Sequence, residues 1–353
     1  MSRDKAQLAG VRSLALVLAG VALLAGAAQA QPAQDFYAGK RINIVIGYET
    51  GGSYDVYARL LSRHMGKYIR GNPTFIIQNM LGAGTRLAAN WLYNAAPKDG
   101  TVIGMFDQNI PLDQALGYPG VQFDVRRFSW LGNMVEINNT LVSWYTSGVT
   151  TIEQAKHKPL LMASNAGTSP ALIYPLVANS FLGTKFKIIT GYPNATEMNL
   201  AMERGEVEAR GSNSWQSWKL LKPDWVKDKK INILFQVGFR REPDLPDVPL
   251  LTELAKNDED RAVLEIVSAP IAFARAFVTP PDVPADRVEI LRAAFEQAMQ
   301  DPQLLEDARK EALQVSPMSG ARVQEIVERT LSTPPATIDR LKAALEMKPG
   351  KDG

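Results

Sequence analysis

Cysteine is absent from the 353-residue chain, histidine occurs only twice, and no apolar run beyond the amino terminus approaches the length of a membrane span. Each absence removes a class of function. Without thiols there are no disulfide frameworks, thiolate metal sites, Cys nucleophiles or Cys-linked lipids. With only His64 and His157, a centre built on several imidazoles cannot be assembled. Charge of one sign is also missing: 39 Lys and Arg stand against 37 Asp and Glu. Arg3, Lys5, Arg12 and Asp4 lie in an expected leader, and without them the two signs balance. A neutral chain has no electrostatic footprint for nucleic acid or an anionic membrane, and neither partner is expected. What remains is ordinary globular composition, 46% hydrophobic and 22% charged, which excludes collagen-like, coiled-coil and wholly disordered chains. The length suits two domains better than one.

Residues 1–30 read as a secretory signal: basic residues, an apolar stretch from Leu14 to about Ala25, then Ala28-Gln29-Ala30. Small residues at both outer positions of that triplet predict cleavage before Gln31 and a soluble protein outside the cytoplasm. The alternative, a membrane anchor, is disfavoured because the run is short and rich in Ala and Gly for roughly 30 Å of hydrocarbon.

Downstream, short apolar runs alternate with helical patterns, which predicts an α/β architecture. Strands are expected at 42–46, 75–78, 102–106, 160–163, 187–190 and 231–237, with another strand entered from Val207–Arg210. The first helix carries Val56, Leu60, Leu61 and Met65 on one face. Pro170 stands where a helix tolerates it, at its first position. The tail from Ala285 is helical, with Val288, Leu291, Phe295 and Met299 on its apolar face, and residues 348–353 are expected to fray. Extended stretches at 129–144 and 264–278 read as crossings between two lobes. Residues 31–136 and 271–353 then form one lobe and 137–270 the other.

Several motifs resemble chemistry and fail on inspection. Gly47–Ser53 lacks the Lys of a phosphate-binding loop. Gly82-Ala83-Gly84 begins a dinucleotide fingerprint, but Leu87 replaces its third Gly. Gly167–Ala171 approaches a nucleophile elbow, yet Pro170 has no N–H for the oxyanion hole, so a helix start is the better reading. His64 reads as a surface or lobe-packing residue, His157 as solvated, and Trp215 and Trp218 as packing. Asp55 is expected to complement a helix dipole rather than meet an anion. No catalytic residue, metal ligand or cofactor site is assigned.

Small polar residues recur just before helices: Thr50–Ser53, Ser164–Ser169 and Asn194–Thr196. Such residues are good N-caps, and helix N-termini also hold anions through free N–H groups. Three such loops spread over two lobes favour a carboxylate site in the cleft.

The same stretches carry a resemblance. Ile42–Leu60, INIVIGYETGGSYDVYARL, resembles the opening strand, Gly-Gly loop and helix of the substrate-binding receptors of tripartite tricarboxylate transporters. Leu81-Gly-Ala-Gly84, Ala96-Pro-Lys-Asp-Gly100, Gly205-Glu-Val207 and Leu245-Pro-Asp-Val-Pro249 followed by Glu253 are similar to further stretches of that family, in unbroken order. The resemblance implies a periplasmic, two-lobed Venus-flytrap binding protein of type II that captures a small organic acid. It would act as a monomer and pass the acid to a membrane permease. It implies ligand contacts from Tyr48, Thr50, Gly51, Gly52 and Ser53 in one lobe. In the other they come from Ser164, Asn165, Thr168, Ser169, Tyr192, Ser212 and Asn213; Asn194 and Arg210 join the candidate ligand contacts on their own chemistry. The chain departs from the family at Gly47-Tyr48, Asn165, Ala171, Pro193-Asn194, Arg210 and Ser212, which cluster at this pocket. Arg210 reads either as a surface residue paired with Glu206 or Glu208, or as the partner of a second carboxylate. A sensor component that presents ligand to a membrane kinase shares every one of these features, and a secreted hydrolase is the remaining alternative.

Overall fold

The computed structural model describes residues 36–165 and 169–346. The expected leader, Thr168 and the terminal residues 348–353 lie outside them. Two mixed sheets organise the fold. The first contains β1 (Arg41–Ile46), β2 (Thr74–Asn79), β3 (Val102–Met105), β4 (Ser129–Asn133), β10 (Ala276–Thr279) and β11 (Met318–Ser319), in the order β11-β4-β10-β3-β1-β2. The second contains β5 (Asn139–Trp144), β6 (Leu160–Ala163), β7 (Phe186–Ile189), β8 (Ala209–Ser214) and β9 (Ile231–Val237), in the order β7-β6-β8-β5-β9. Within each sheet the strands joined by helical crossovers run parallel: β2 and β3 against β1, β7 and β8 against β6. The strands nearest the crossings, β4, β5 and β10, pair antiparallel with their neighbours. The expected α/β class and two lobes are therefore present.

Helices cover both faces of each sheet, and the second lobe also holds the short α4 (Ile152–Ala155) and α8 (Pro223–Lys227). In the first lobe, α1 (Ser53–His64) and α10 (Ala285–Met299) bury Leu60, Leu61, Leu291 and Phe295 against one face of β1 and β10. On the opposite face α2 (Arg86–Asn94) and α12 (Gly320–Leu331) bury Leu92, Val323 and Val327. In the second lobe, α5 (Pro170–Val177) and α9 (Asp258–Ser268) pack Ile173, Val263 and Leu264 onto one face. The other face is closed by Met198 and Met202 of α6 (Ala195–Glu203) and by Trp218 of α7 (Trp215–Leu221). Trp218 is fully buried and its indole N–H donates to Thr140 Oγ1, so it is a packing residue.

The chain crosses between lobes at 134–138 and 269–275. Asn133, wholly buried at the end of β4, ties the crossings together: its Oδ1 accepts from the Arg275 amide at 2.7 Å and its Nδ2 donates to the Val135 carbonyl. Two elements from outside the stretch 137–270 add side chains to the second lobe's core. The last helix, α13 (Pro335–Ala344), packs on α9 and α5 and buries Leu341 in the second lobe's core. Leu112 of α3 (Ile110–Ala115) is buried there too. An amphipathic pattern reveals that a helix covers something, not which sheet it covers.

One glycine sets the layer spacing beside the crossings. At Gly211, on β8, an added Cβ would lie 1.9 Å from the Ala171 carbonyl oxygen in the first turn of α5. The missing side chain lets helix and strand approach closely, and both of their ends reach the cleft. Gly211→Ala is expected to lower stability by ~1–3 kcal/mol, the usual cost of overpacking. Urea unfolding measures this directly, and an unchanged midpoint would show that the layers give way freely.

Candidate functional site

A cleft of about 210 Å³ opens between the lobes. That is below the roughly 300–1,000 Å³ of drug-sized pockets, so it suits a small metabolite. The first-lobe wall is Tyr54, Gln108 and Arg275; Ile137 and Asn139 form the floor at a crossing. Asn165, Ser169, Pro170 and Ala171 from the start of α5, with Ser212, Asn213 and Ser214 from the end of β8, form the second-lobe wall. Arg275 is the one charged residue among these, and among the described residues no acid lines the cleft.

Arg275 is 8% exposed. Its Nη2 donates to Ser53 Oγ at 2.6 Å and its Nη1 to the Ala274 carbonyl, while Nε has no partner among the described residues. The guanidinium lies 4.0 Å from the Tyr54 ring centroid, a cation–π arrangement. Tyr54 in turn stacks on Tyr48 at 4.3 Å, and its hydroxyl accepts from the Gln108 amide. Behind this wall the Tyr48 hydroxyl donates to Asp107 Oδ2. Burial pushes the Asp107 carboxyl above its ordinary value, against the opposing pull of the Tyr48 and Asn109 hydrogen bonds and of the Arg275 charge. Burial also pushes the Tyr48 and Tyr54 phenols well up, so both hydroxyls stay protonated and neutral.

On the opposite wall Ser169 is the N-cap residue of α5, with Pro170 at the first helical position as expected. Ser169 Oγ is buried and makes no hydrogen bond among the described residues. A hydroxyl left unpartnered at a helix N-terminus, where the backbone carries partial positive charge, is complementary to an anion. Asn213 is held from behind. Arg210 donates Nη1 to Asn199 Oδ1 at 2.7 Å and Nη2 to Asn213 Oδ1 at 3.4 Å, and sits 5.2 Å from the Trp218 ring centroid. A guanidinium offers donors only, so the oxygen of Asn213 faces it and its amide N–H groups are the free end.

The residues read from the sequence divide accordingly. Asn165, Ser169, Ser212 and Asn213 line the cleft. Ser164 is buried beside it, its Oγ donating to the Asn165 carbonyl, and Asn165 Nδ2 donates to the Tyr192 carbonyl. Asn194 caps α6, its Oδ1 accepting from the Glu197 amide, and Tyr192 and Asn194 border a separate exposed hollow. Thr168 lies outside the described residues. The loop Tyr48–Ser53 serves the wall from behind. The Gly51 amide donates to Asp55 Oδ2, the Gly52 amide to the Glu49 carbonyl, and Thr50 Oγ1 to Asn79. Asp55, also paired with Arg59 at 2.7 Å, thus occupies the N-terminus of α1. Arg210 is neither a surface residue nor a lining one: it is 3% exposed and makes no ion pair with Glu206 or Glu208. Burial pulls its pKa down to about 9, which leaves it charged at neutral pH. His64 is buried between Asp301 and Asp307, at 3.3 and 3.0 Å, far from this wall in the chain's packing of α1 on α11 (Pro302–Lys310). Arg275, Gln108 and Asn139 escaped the sequence reading. The available signal was a lone Arg in the apolar run Ile271–Val278.

Among the described residues no cluster of three metal-ligating side chains occurs, and no helix is long and apolar enough to cross a membrane. The model of the tripartite tricarboxylate transporter family receptor matches residues 58–342. A UPF0065 protein of Cupriavidus necator is 24% identical over 339 residues, covering 94% of this chain and 96% of that protein. Among solved structures, a TctC solute-binding protein from Polaromonas superposes with a TM-score of 0.66 at 16% identity, covering 87% of this chain and 99% of the other. A Rhodopseudomonas palustris protein solved with adipate gives 0.62 at 18%, covering 87% and 97%. MatC from the same organism, with bound malate, gives 0.59 at 19%, covering 85% and 99%.

The first-lobe wall yields a pH prediction. Because burial raises the Asp107 pKa, the folded state holds that proton more tightly than the unfolded chain does. Its contribution to stability is therefore present near and below the ordinary value of 3.8 and is lost as pH rises through the raised value. Asp107→Asn should gain stability relative to wild type as pH increases from 4 to 7, read from urea midpoints at each pH. A difference that stays constant would mean that Asp107 keeps an ordinary pKa.

Proposed function

Because the chain belongs to the tripartite tricarboxylate transporter family of receptors, we propose that it captures a small organic carboxylate in the interlobe cleft and delivers it to a membrane permease of that transporter type. The observation that carries the reading is the cleft's composition: donors from both lobes, a single buried cation, and no acid. The adipate and malate bound by structural neighbours support the same ligand class.

The mechanism is reversible capture without chemistry. Ser169 Oγ, the N-terminus of α5 and the Asn213 amide meet the ligand from one lobe, and Arg275 and Gln108 from the other. Charge-assisted hydrogen bonds contribute about 1.5–3 kcal/mol each, so three of them reach the scale of a micromolar Kd, about −8 kcal/mol, before immobilisation and closure are subtracted. The lobes turn about the two crossings, so a ligand touching both walls favours the closed form. The protein acts as a monomer, and Tyr192 and Asn194, which border a separate hollow, do not touch the ligand.

With acid at a hundredfold excess over Kd, the folded state should gain about 2.7 kcal/mol, seen as a raised melting temperature, and small-angle scattering should show compaction. Labelled-acid uptake in cells with and without the gene tests delivery. A panel of carboxylates that leaves melting and shape untouched would remove the reading, and uptake independent of the gene would remove the permease role in favour of sensing.

Export belongs to the same proposal. Amino-terminal sequencing of protein from the periplasm should begin at Gln31. A chain that starts at Met1 in the membrane fraction contradicts it.

A further inference from the structure

Two buried arginines flank the cleft without a carboxylate partner. Arg275 and Arg210 are both more than nine-tenths buried, and neither makes an ion pair within 4.0 Å among the described residues. In each, Nε is buried and unsatisfied. Several other buried charges are paired: Asp55 with Arg59 at 2.7 Å, Arg86 with Asp113 at 2.9 Å, and Asp260 with Arg340 at 2.6 Å. Burying an unpaired cation is costly, so the exception at the cleft calls for anions that the protein does not itself supply. The acid nearest in effect, Asp107, is engaged with Tyr48 and Asn109 and makes no salt bridge to Arg275.

The two walls are chemically different. The second-lobe wall offers neutral donors, Ser169 and Asn213, at a helix N-terminus, with the Arg210 charge one residue behind them. The first-lobe wall offers the Arg275 guanidinium itself. Its planar fork suits a carboxylate geometrically, and Ser53, Ala274 and Tyr54 fix its orientation from behind. A monocarboxylate satisfies one wall and leaves the other charge unmet. A dicarboxylate satisfies both.

Resting on the carboxylate-receptor reading, we propose that the cleft selects dicarboxylates and that Arg275 is the specificity-determining residue, taking the second carboxylate while the first lies at Ser169 and Asn213. The acid's chain then bridges the lobes across Ile137 and Ala171, the apolar part of the lining.

The test is calorimetry on the mature protein with succinate, malate, glutarate and adipate, each paired with its monoamide. The amide keeps the length and one carboxylate and removes the second charge. Wild type should prefer at least one diacid over its monoamide by about 10- to 100-fold, the range of a lost charged hydrogen bond. In Arg275→Gln the preference should collapse, the diacid falling to the monoamide's affinity, and Arg275→Lys should restore part of it. Wild type binding acids and monoamides equally overturns the proposal without need of any variant, as does a preference that survives Arg275→Gln. Those results leave the carboxylate receptor standing. Failure of every acid and monoamide to bind removes the receptor reading and this proposal together.

Discussion

The bond between Asn133 and the Arg275 amide is the joint on which the rest of the molecule turns. One buried side chain satisfies backbone groups from both crossings, and the Met134 amide returns the link to the Arg275 carbonyl at 3.1 Å. Buried backbone groups must be paired, and at a crossing no continuous ladder exists to pair them. Asn supplies donor and acceptor in one group, which lets the two crossings meet the first sheet side by side at β4 and β10. The same bond fixes where the Arg275 side chain begins, and therefore where the cleft holds its cation.

From that joint the electrostatics follow in layers. Asp55 claims the N-terminus of α1 and Asp107 the hydroxyl of Tyr48, so first-lobe polarity is directed inward and stabilises the wall. Only Arg275 passes through it. In the second lobe the arrangement is reversed: the charge of Arg210 stays behind, and neutral groups meet the cleft. Both schemes keep a cation away from bulk water while leaving the lining free of competing carboxylates. A low local dielectric then strengthens what interaction a ligand makes.

The sheet-forming segments were legible because apolar runs of strand length separated by helical periodicity leave few alternatives. Ile231–Val237 and Leu160–Ala163 coincide with strands at both ends. Pro170 marked its helix because proline tolerates little else. The second-lobe wall followed from caps, which are local chemistry, whereas the first-lobe wall did not. Gly51 and Gly52 look poised for an anion, but whether their amides are free depends on Asp55 folding back onto Gly51 four residues earlier. Arg275 depends on tertiary placement altogether, since nothing in its neighbours announces that it reaches Ser53, 222 positions away. Arg210 was noticed for its unusual company, yet its partners Asn199 and Trp218 belong to two helices whose packing no spacing rule supplies.

The strand β10 has a bearing on how the molecule comes into being. It lies between β3 and β4, so the first sheet carries a gap at its centre until residues 276–279 arrive, after every strand of the second sheet has been made. Pairings of such sequence separation form late, and the open strand edges on either side are vulnerable until they are filled. The second sheet, drawn from one unbroken stretch of chain, needs no such wait. The residue immediately ahead of the closing strand is Arg275. Sheet closure and the cleft's cation thus arrive together: a chain that stops short of β10 has neither a closed first sheet nor the arginine that lines its cleft.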